Sequence, residues 1–231
     1  MDQRITTTTG ALSEASFISK VFLWMALGLA LSTASSFWLL SQPAVLKGIF
    51  GNGWALFAIV IAELGLVFWL SAGLFRMSTT TAASVYAVYS LLNGVTLTSI
   101  LLVYTGASVV NTFMVSAGTF FFFSVYGITT KKDLTSVGSL AFMGLIGIIL
   151  ASLLNMLLKN STFDLVITFI GIAVFIGLIA YDTQNLKAIY AMGIDSQENE
   201  KRYVILGALR LYLDFINLFI MLLRIFGRRR D

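Results

Sequence analysis

Seven hydrophobic runs, each about 20 residues long, constrain this chain more than any other feature of its sequence. A helix of that length crosses the hydrocarbon core of a bilayer, where only helices and closed barrels can satisfy the backbone. Only 11% of the residues are charged, and the mean hydropathy is +0.91. Soluble domains average about 25% charged residues. The sequence therefore predicts an all-α membrane protein with seven transmembrane helices, at 21–41, 54–74, 83–104, 108–128, 137–158, 165–186 and 203–226.

The remaining sequence is too short to form a separate soluble domain. We expect a polar N-terminal tail at 1–20, one transmembrane domain at 21–226 and a basic C-terminal tail at 227–231. The first residues are polar and lack the basic start of a signal peptide, so we expect the first hydrophobic run to be retained.

Lysine and arginine predict the orientation, because they concentrate in cytoplasmic loops. With a cytoplasmic N-terminus, that side receives eight basic residues and the other side receives only Lys47 and Lys159 before the C-terminal tail. The tail lies outside if the seventh run spans fully, and inside if that run dips in and returns. The run contains no proline and keeps a continuous helical pattern, which favours a full span.

Composition excludes several kinds of chemistry. The chain has no cysteine and no histidine, so it has no disulfide, no thiol nucleophile and none of the commonest metal ligand. The net charge of +4 comes from basic residues at helix ends, which suits lipid headgroups rather than nucleic acid. Any response to pH must therefore come from carboxylates with shifted pKa values, or from lysine or tyrosine.

The seventh run carries a polar stripe. Arg210, Asp214, Asn217 and Arg224 fall within an arc of roughly 80° at 100° per residue. An acid near the middle of a bilayer costs about 2.5–3.5 kcal/mol on insertion scales and usually faces a bundle interior or a wet path. We therefore expect a central helix on which Asp214 marks the functional site. The alternative is that Asp214 is only the buried ion-pair partner of Arg210, one turn away.

Three further positions are candidates. Glu63 lies at the middle of the second run, where it is either protonated and hydrogen-bonded to a neighbour or part of an ion path. Arg76 follows the same run as a topogenic charge or a gate partner. Tyr181 and Asp182 begin a polar segment that ends the sixth run, either as part of a site or as the exit of the helix into water.

The short link between runs six and seven predicts neighbouring antiparallel helices, which could bring Asp182 and Asp214 together. Their depths match only if the sixth helix sits deeper in the membrane than its hydrophobic run indicates. Two carboxylates that meet in a low-dielectric interior cannot both stay ionised cheaply, and they titrate as a pair. Hard cations such as Ca²⁺ take oxygen ligands, so such a pair would bind a cation when deprotonated and lose it on protonation.

Three segments carry a family resemblance: Ala180–Gln184, Gly207–Leu209 and Leu211–Phe219, the last reading LYLDFINLF. Over essentially the whole chain the sequence resembles the Bax inhibitor-1 (transmembrane Bax-inhibitor-motif) family, bacterial branch. The resemblance implies a seven-helix bundle whose last helix is wrapped by the other six. It also implies a pH-sensitive calcium leak, with calcium as the permeant ion and no cofactor.

The resemblance also implies residue roles. Asp182 and Asp214 would sense protons and bind calcium, with Arg210, Asn217 and Tyr181 in support. Arg76, matched by location only, would latch a closed state. Glu63 would be the acid of the second helix at the gate. Arg210 departs from the family pattern, because it would compete with a cation for the carboxylate of Asp214.

Two rival functions come from other classes. An intramembrane aspartyl protease would use an aspartate dyad, but its Gly-x-Gly-Asp pattern is absent here and the only proline, Pro43, rules out its Pro-Ala-Leu element. A non-conducting regulator that binds a membrane protease or another membrane protein stays open. We expect no enzymatic activity. The expected partners are membrane lipid, calcium and protons, and the expected location is a bacterial inner membrane.

Overall fold

The computed structural model describes residues 2–230, with side chains described from Ser13 to Arg230. The structure is 89% helical. Within residues 2–230 there are eight α-helices: α1 (Asp2–Leu40), α2 (Pro43–Phe50), α3 (Gly53–Gly73), α4 (Thr79–Val103), α5 (Gly106–Thr129), α6 (Thr135–Leu158), α7 (Ser161–Ala191) and α8 (Gln197–Phe226). A 3₁₀ turn, Leu74–Arg76, extends α3.

Seven helical segments are long and apolar enough to cross a membrane, which confirms the predicted seven-span class: Ser13–Leu40, Gly53–Arg76, Thr79–Val103, Gly106–Thr129, Thr135–Leu158, Ser161–Ala191 and Gln197–Phe226. The helices extend beyond the hydrophobic runs. Helix α7 continues to Ala191 and α8 begins at Gln197, five and six residues outside the predicted ends. A polar residue ends a hydropathy run, but it can still continue the hydrogen-bond ladder of the helix.

The first helix and the first connection also differ from the expectation. Helix α1 begins at Asp2, so the segment predicted as a polar tail at 1–20 is helical from that residue onward. The later half of this predicted tail, around Ala11–Ala15, is rich in good helix formers and contains no proline. Helix α2 fills the first connection and has Pro43 in its first turn, where the missing N–H of proline breaks no hydrogen bond.

The chain forms two compact units. The first, Met1–Val103 with Ile189–Tyr212, contains α1 to α4 and the first half of α8. Helices α1 and α4 approach closely at Gly94, where a Cβ atom would overlap the carbonyl oxygen of Ser32. The hydroxyls of Ser35 and Ser36 donate to Leu91 O at 2.8 Å and to Gly94 O at 2.5 Å. Small residues and hydroxyls are the usual means of joining helices in lipid.

The second unit, Tyr104–Ala188 with Leu213–Asp231, contains α5, α6, most of α7 and the second half of α8. Its core includes Phe215, whose ring meets Phe113 and Phe120 with centroids 5.4 and 5.6 Å apart. Helices α5 and α7 touch at Gly127, where a Cβ atom would overlap the carbonyl oxygen of Ala180.

Helix α8 runs without a break to Phe226, which confirms a full seventh span rather than a re-entrant segment. Beyond its end, the N–H of Thr105 donates to Arg228 O at 2.9 Å. The N–H of Arg228 in turn donates to Ser108 Oγ at 2.9 Å. The backbone after α8 is therefore fixed to the connection between α4 and α5.

Candidate functional site

Helix α8 is the most enclosed of the seven spanning helices. In its most apolar 18-residue stretch 72% of the residues are buried, and the next highest share is 44%, in α7. Such burial is what a central position requires, although the wrapping of α8 by six helices stays a prediction. The polar stripe of α8 divides by exposure: Arg210 and Arg224 are exposed and Asn217 is half-buried. Asp214 is only 5% exposed.

The helices that carry Asp182 and Asp214 are neighbours in the second unit. Gly171 of α7 faces the side chain of Met221, and the carboxylate of Asp164 pairs with Arg224 at 3.0 Å. These two contacts make α7 and α8 antiparallel. The adjacency on which the proposed aspartate pair depends is therefore present.

The register of these contacts gives the depth of each aspartate. The Asp164–Arg224 ion pair sets a common level for the two helices. Asp182 lies eighteen residues from Asp164 along α7, and Asp214 lies ten residues from Arg224 along α8. At 1.5 Å per residue the two aspartates are therefore offset by about 12 Å along the helix axes. Counted from Gly171–Met221 the offset falls to about 6 Å. Side chains tilt toward the N-terminus of their own helix, so in this antiparallel pair the two carboxyl groups tilt toward each other. A direct meeting of the carboxylates stays a prediction.

The polar segment that begins at Tyr181 is more than the exit of a helix into water. The side chain of Gln184 accepts the N–H of Leu134 at 2.8 Å and donates to Lys132 O at 2.8 Å. The ammonium group of Lys187 donates to Ile128 O at 3.2 Å. The end of α7 therefore fixes the connection between α5 and α6. Asp182, in the same part of α7, is half-buried.

Tyr181 supports the same region by packing. Its ring covers Gly138 of α6 so closely that a Cβ atom there would overlap the ring. In the loop before α6, Thr135 donates its hydroxyl and its backbone N–H to the carboxylate of Asp133 at 2.6 and 2.8 Å. These two hydrogen bonds hold the pKa of Asp133, an exposed group, below its usual value.

In the first unit, Glu63 is buried at 8% exposure in the middle of α3. Its carboxyl group lies 2.5 Å from the hydroxyl of Thr96 and 3.3 Å from the amide nitrogen of Asn93, both on α4. The hydroxyl of Tyr212, on α8, donates to the other end of the Asn93 amide at 2.8 Å. Glu63 therefore has hydrogen-bonding neighbours, and the two alternatives, a protonated acid or part of an ion path, both stay predictions.

Arg76, which follows the second span, lies at the surface, and its role as a latch stays a prediction. Arg76 is exposed, and within residues 13–230 no ion pair or side-chain hydrogen bond involves it. Arg202, at the start of α8, instead donates to Met77 O at 3.1 Å and to the carboxylate of Glu198 at 2.8 Å. Arg202 thus joins α8 to the connection between α3 and α4, an anchoring role that sequence reasoning missed.

Asn217 turns back to its own helix, where its amide donates to Leu213 O at 2.8 Å. Among the described residues, no group of three or more histidine, cysteine, aspartate or glutamate side chains could hold a metal ion. Any cation at Asp182 and Asp214 would therefore need carbonyl oxygens or water to complete its coordination.

The family comparison agrees with this architecture. The family described as "Inhibitor of apoptosis-promoting Bax1" matches residues 14–231. The chain belongs to the Bax inhibitor-1 family. Bacterial relatives are similar over almost their whole length. The inner membrane protein YbhL of Escherichia coli K12 is 47% identical over 93% of this chain and 92% of its own.

Two other bacterial relatives extend this range. A protein of Borreliella burgdorferi is 43% identical over 93% of each chain. A membrane protein of Streptococcus pyogenes serotype M6 is 34% identical over 99% of each. The resemblance drawn from the segments around Asp182 and Asp214 is confirmed, and the chain is a multi-pass membrane protein of this family.

Proposed function

We propose that this protein is a proton-sensitive cation leak of a bacterial inner membrane, in which calcium passes the pair Asp182 and Asp214. The observation that carries the proposal is the position of Asp214. It is 5% exposed near the middle of a spanning helix, and the neighbouring antiparallel helix of the same unit carries Asp182. The name of YbhL as an inner membrane protein supports the location.

The physical basis is the cost of charge in a low-dielectric interior. Two ionised carboxylates close together repel each other strongly there, so one proton is retained or a cation takes its place. Protonation of the pair removes the charge that a cation needs, and deprotonation restores it. The flux of cations past the pair therefore depends on pH without any histidine.

Calcium is the cargo in this proposal rather than a resident cofactor. A tight calcium site uses six to eight oxygen ligands, often with several carboxylates. The described residues offer no cluster of three acidic side chains. A site with two carboxylates binds weakly enough to release the ion, which is what passage through a membrane requires.

The other candidates take subordinate roles. Arg76 is exposed and can latch a closed state, and Glu63 belongs to the gate in the first unit. Arg210, one turn before Asp214, competes with the cation for that carboxylate, while Tyr181 and Asn217 support the two helices. No reaction is assigned to the chain. The distribution of basic residues supports a cytoplasmic N-terminus as part of this proposal.

A non-conducting regulator is the second candidate function. The exposure of α3 favours a regulator. Only 11% of the residues in its most apolar 18-residue stretch are buried, the lowest share among the seven spanning helices. Its exposed side chains include Phe57, Phe68 and Trp69 at 57%, 77% and 53%. Lipid or another membrane protein would cover this surface, and a regulator would use it to bind its partner.

The test is calcium flux into liposomes that contain the purified protein, measured at several pH values. Wild-type protein should carry calcium, with a rate that falls as the aspartate pair is protonated. Asp214→Asn should reduce the rate at least several-fold and flatten its dependence on pH. The matched control is Asp133→Asn, the same change at an exposed loop aspartate, which should alter neither. Equal effects of the two variants would contradict the aspartate pair. No flux from wild-type protein at any pH would favour the regulator.

A further inference from the structure

A buried chain of hydrogen bonds crosses the first unit from α3 to α1. Glu63 is joined to Asn93, Asn93 to Tyr212 at 2.8 Å, and Tyr212 to Ser32 at 2.6 Å. These four residues are between 0% and 8% exposed. Each lies on a different spanning helix, namely α3, α4, α8 and α1. Of these four residues the sequence indicated only Glu63 as a candidate site residue, because Tyr212 between two leucines looks like an ordinary core residue.

The hydrogen atoms of this chain have a fixed direction at Asn93. An amide has donors at one end and an acceptor at the other. A carboxylate accepts only, so the amide nitrogen of Asn93 must face Glu63. Its carbonyl oxygen is then left to accept from the hydroxyl of Tyr212. Tyr212 therefore holds the donor of Asn93 on the carboxyl group of Glu63 without touching that group.

Glu63 can hold or release a proton with little movement of its neighbours. As a carboxylate it accepts from the Asn93 amide and from the Thr96 hydroxyl, 2.5 Å away. As an acid it can donate to the oxygen of Thr96, because a threonine hydroxyl in a helix can turn its own hydrogen to a carbonyl one turn earlier. Both protonation states therefore find partners, which is the requirement for a reversible proton site.

Among the described residues of the first unit no charged group faces Glu63, so the hydrogen-bond donors Asn93 and Thr96 are the neighbours with the main influence on its protonation. The titratable groups that face it in the first unit are Tyr89 of α4 and Tyr212 of α8. Tyrosine stays neutral near pH 7. From α1, the contribution to the chain is the hydroxyl of Ser32. Hydrogen bonds to the ionised form favour that form, so loss of a donor shifts the balance toward the protonated acid.

We infer that Glu63 is a second proton-binding site of the protein, and that Tyr212 is its positioning residue, acting through Asn93. The site lies in the first unit and involves neither member of the aspartate pair. Only its effect on calcium flux rests on the proposed function. Proton binding itself can be measured without any flux.

The test is infrared difference spectroscopy of the full-length protein in lipid, titrated with pH. The carboxyl band of Glu63 is the one that Glu63→Gln removes. Tyr212→Phe keeps the ring but removes the hydroxyl, and it should move the titration of that band to higher pH. Thr96→Val should move it in the same direction, while Thr96→Ser, which keeps a hydroxyl, should restore the wild-type midpoint.

Two tyrosines of α4 provide matched controls. Tyr86→Phe removes a hydroxyl that donates to Trp24 O at 3.0 Å, a part-buried hydrogen bond outside the chain of Glu63, Asn93, Tyr212 and Ser32. Tyr89→Phe removes a hydroxyl from a ring packed against Tyr212, with centroids 5.6 Å apart. Neither should move the Glu63 band. The inference is overturned if Tyr212→Phe leaves the midpoint unchanged, if Tyr86→Phe shifts it equally, or if no band depends on Glu63.

The two proposals can fail separately. If Asp214→Asn leaves calcium flux and its pH dependence intact while the Glu63 band still titrates and still responds to Tyr212→Phe, the aspartate pair is refuted and the Glu63 site stands. If flux depends on Asp214 but the band does not respond to Tyr212→Phe, the positioning role is refuted and the leak stands.

Discussion

The contact between α5 and α7 at Gly127 makes a quantitative prediction about stability. An added Cβ atom there would overlap the carbonyl oxygen of Ala180 and the hydroxyl of Thr183. The first of these is backbone and cannot rotate away, so Gly127→Ala forces the two helices apart. Gly118, on the same helix, has no atom within 4 Å of the corresponding position and serves as the matched control.

The size of the effect follows from comparing the two variants. Replacing a mid-helix glycine such as Gly118 with alanine favours the helix by roughly 0.5–1 kcal/mol, and Gly127, in the last turn of α5, gains no more than this. Overpacking a close contact costs typically about 1–3 kcal/mol, which only Gly127→Ala incurs. The free energy of unfolding of Gly127→Ala should therefore lie about 1–3 kcal/mol below that of Gly118→Ala.

The assay is reversible unfolding of both variants in detergent micelles, followed by helical circular dichroism. Asp182 lies between Ala180 and the end of α7, so Gly127→Ala should also alter the pH dependence of calcium flux. If Gly127→Ala proves as stable as Gly118→Ala, then α5 and α7 are not in the close contact described here. The placement of Asp182 would then need revision.

Two further predictions concern charged groups near the helix ends. Arg76→Ala should raise the basal calcium flux near neutral pH if Arg76 latches a closed state. Lys201→Ala, another exposed cation of the first unit, should not change it; an unchanged rate in Arg76→Ala removes that residue from the gate. For Asp133, hydrogen bonds from Thr135 lower the folded-state pKa below the ordinary value of about 3.9. Its stabilising contribution is complete above that value and is lost as pH falls through the folded-state pKa, so stability measured by unfolding at several pH values should fall more steeply in acid for wild-type protein than for Asp133→Ala.

The sequence was sufficient for the architecture because lipid leaves a chain few choices. Seven apolar runs predict seven helices, and an acid such as Asp214 within a run must turn toward protein. The ends of the helices were harder to predict from the sequence, because α7 and α8 continue through polar residues that a hydropathy pattern assigns to water. This longer α7 places Asp182 nine residues before the end of its helix rather than four.

Hydrogen-bond partners could not be derived in this way. The role of Tyr212 depends on which helices face α8, and no periodicity within one helix contains that information. The same holds for Gln184, whose amide binds two backbone groups of the connection between α5 and α6. Arg76 and Arg202 are both basic residues beside a span, and only the contacts of Arg202 with Met77 and Glu198 separate an anchor from an exposed charge.

The unbroken course of α8 to Phe226 has a consequence for how the protein can be studied. An odd number of crossings puts the start of α1 and the residues after α8 on opposite faces of the membrane, whichever way the chain inserts. A fluorescent protein that matures only in the cytoplasm and a phosphatase that is active only outside it can each be fused after α8, and only the reporter that suits the compartment on that face would give a signal. That pair of fusions shows in living cells which face of the membrane carries the residues after α8, and therefore on which face α1 begins.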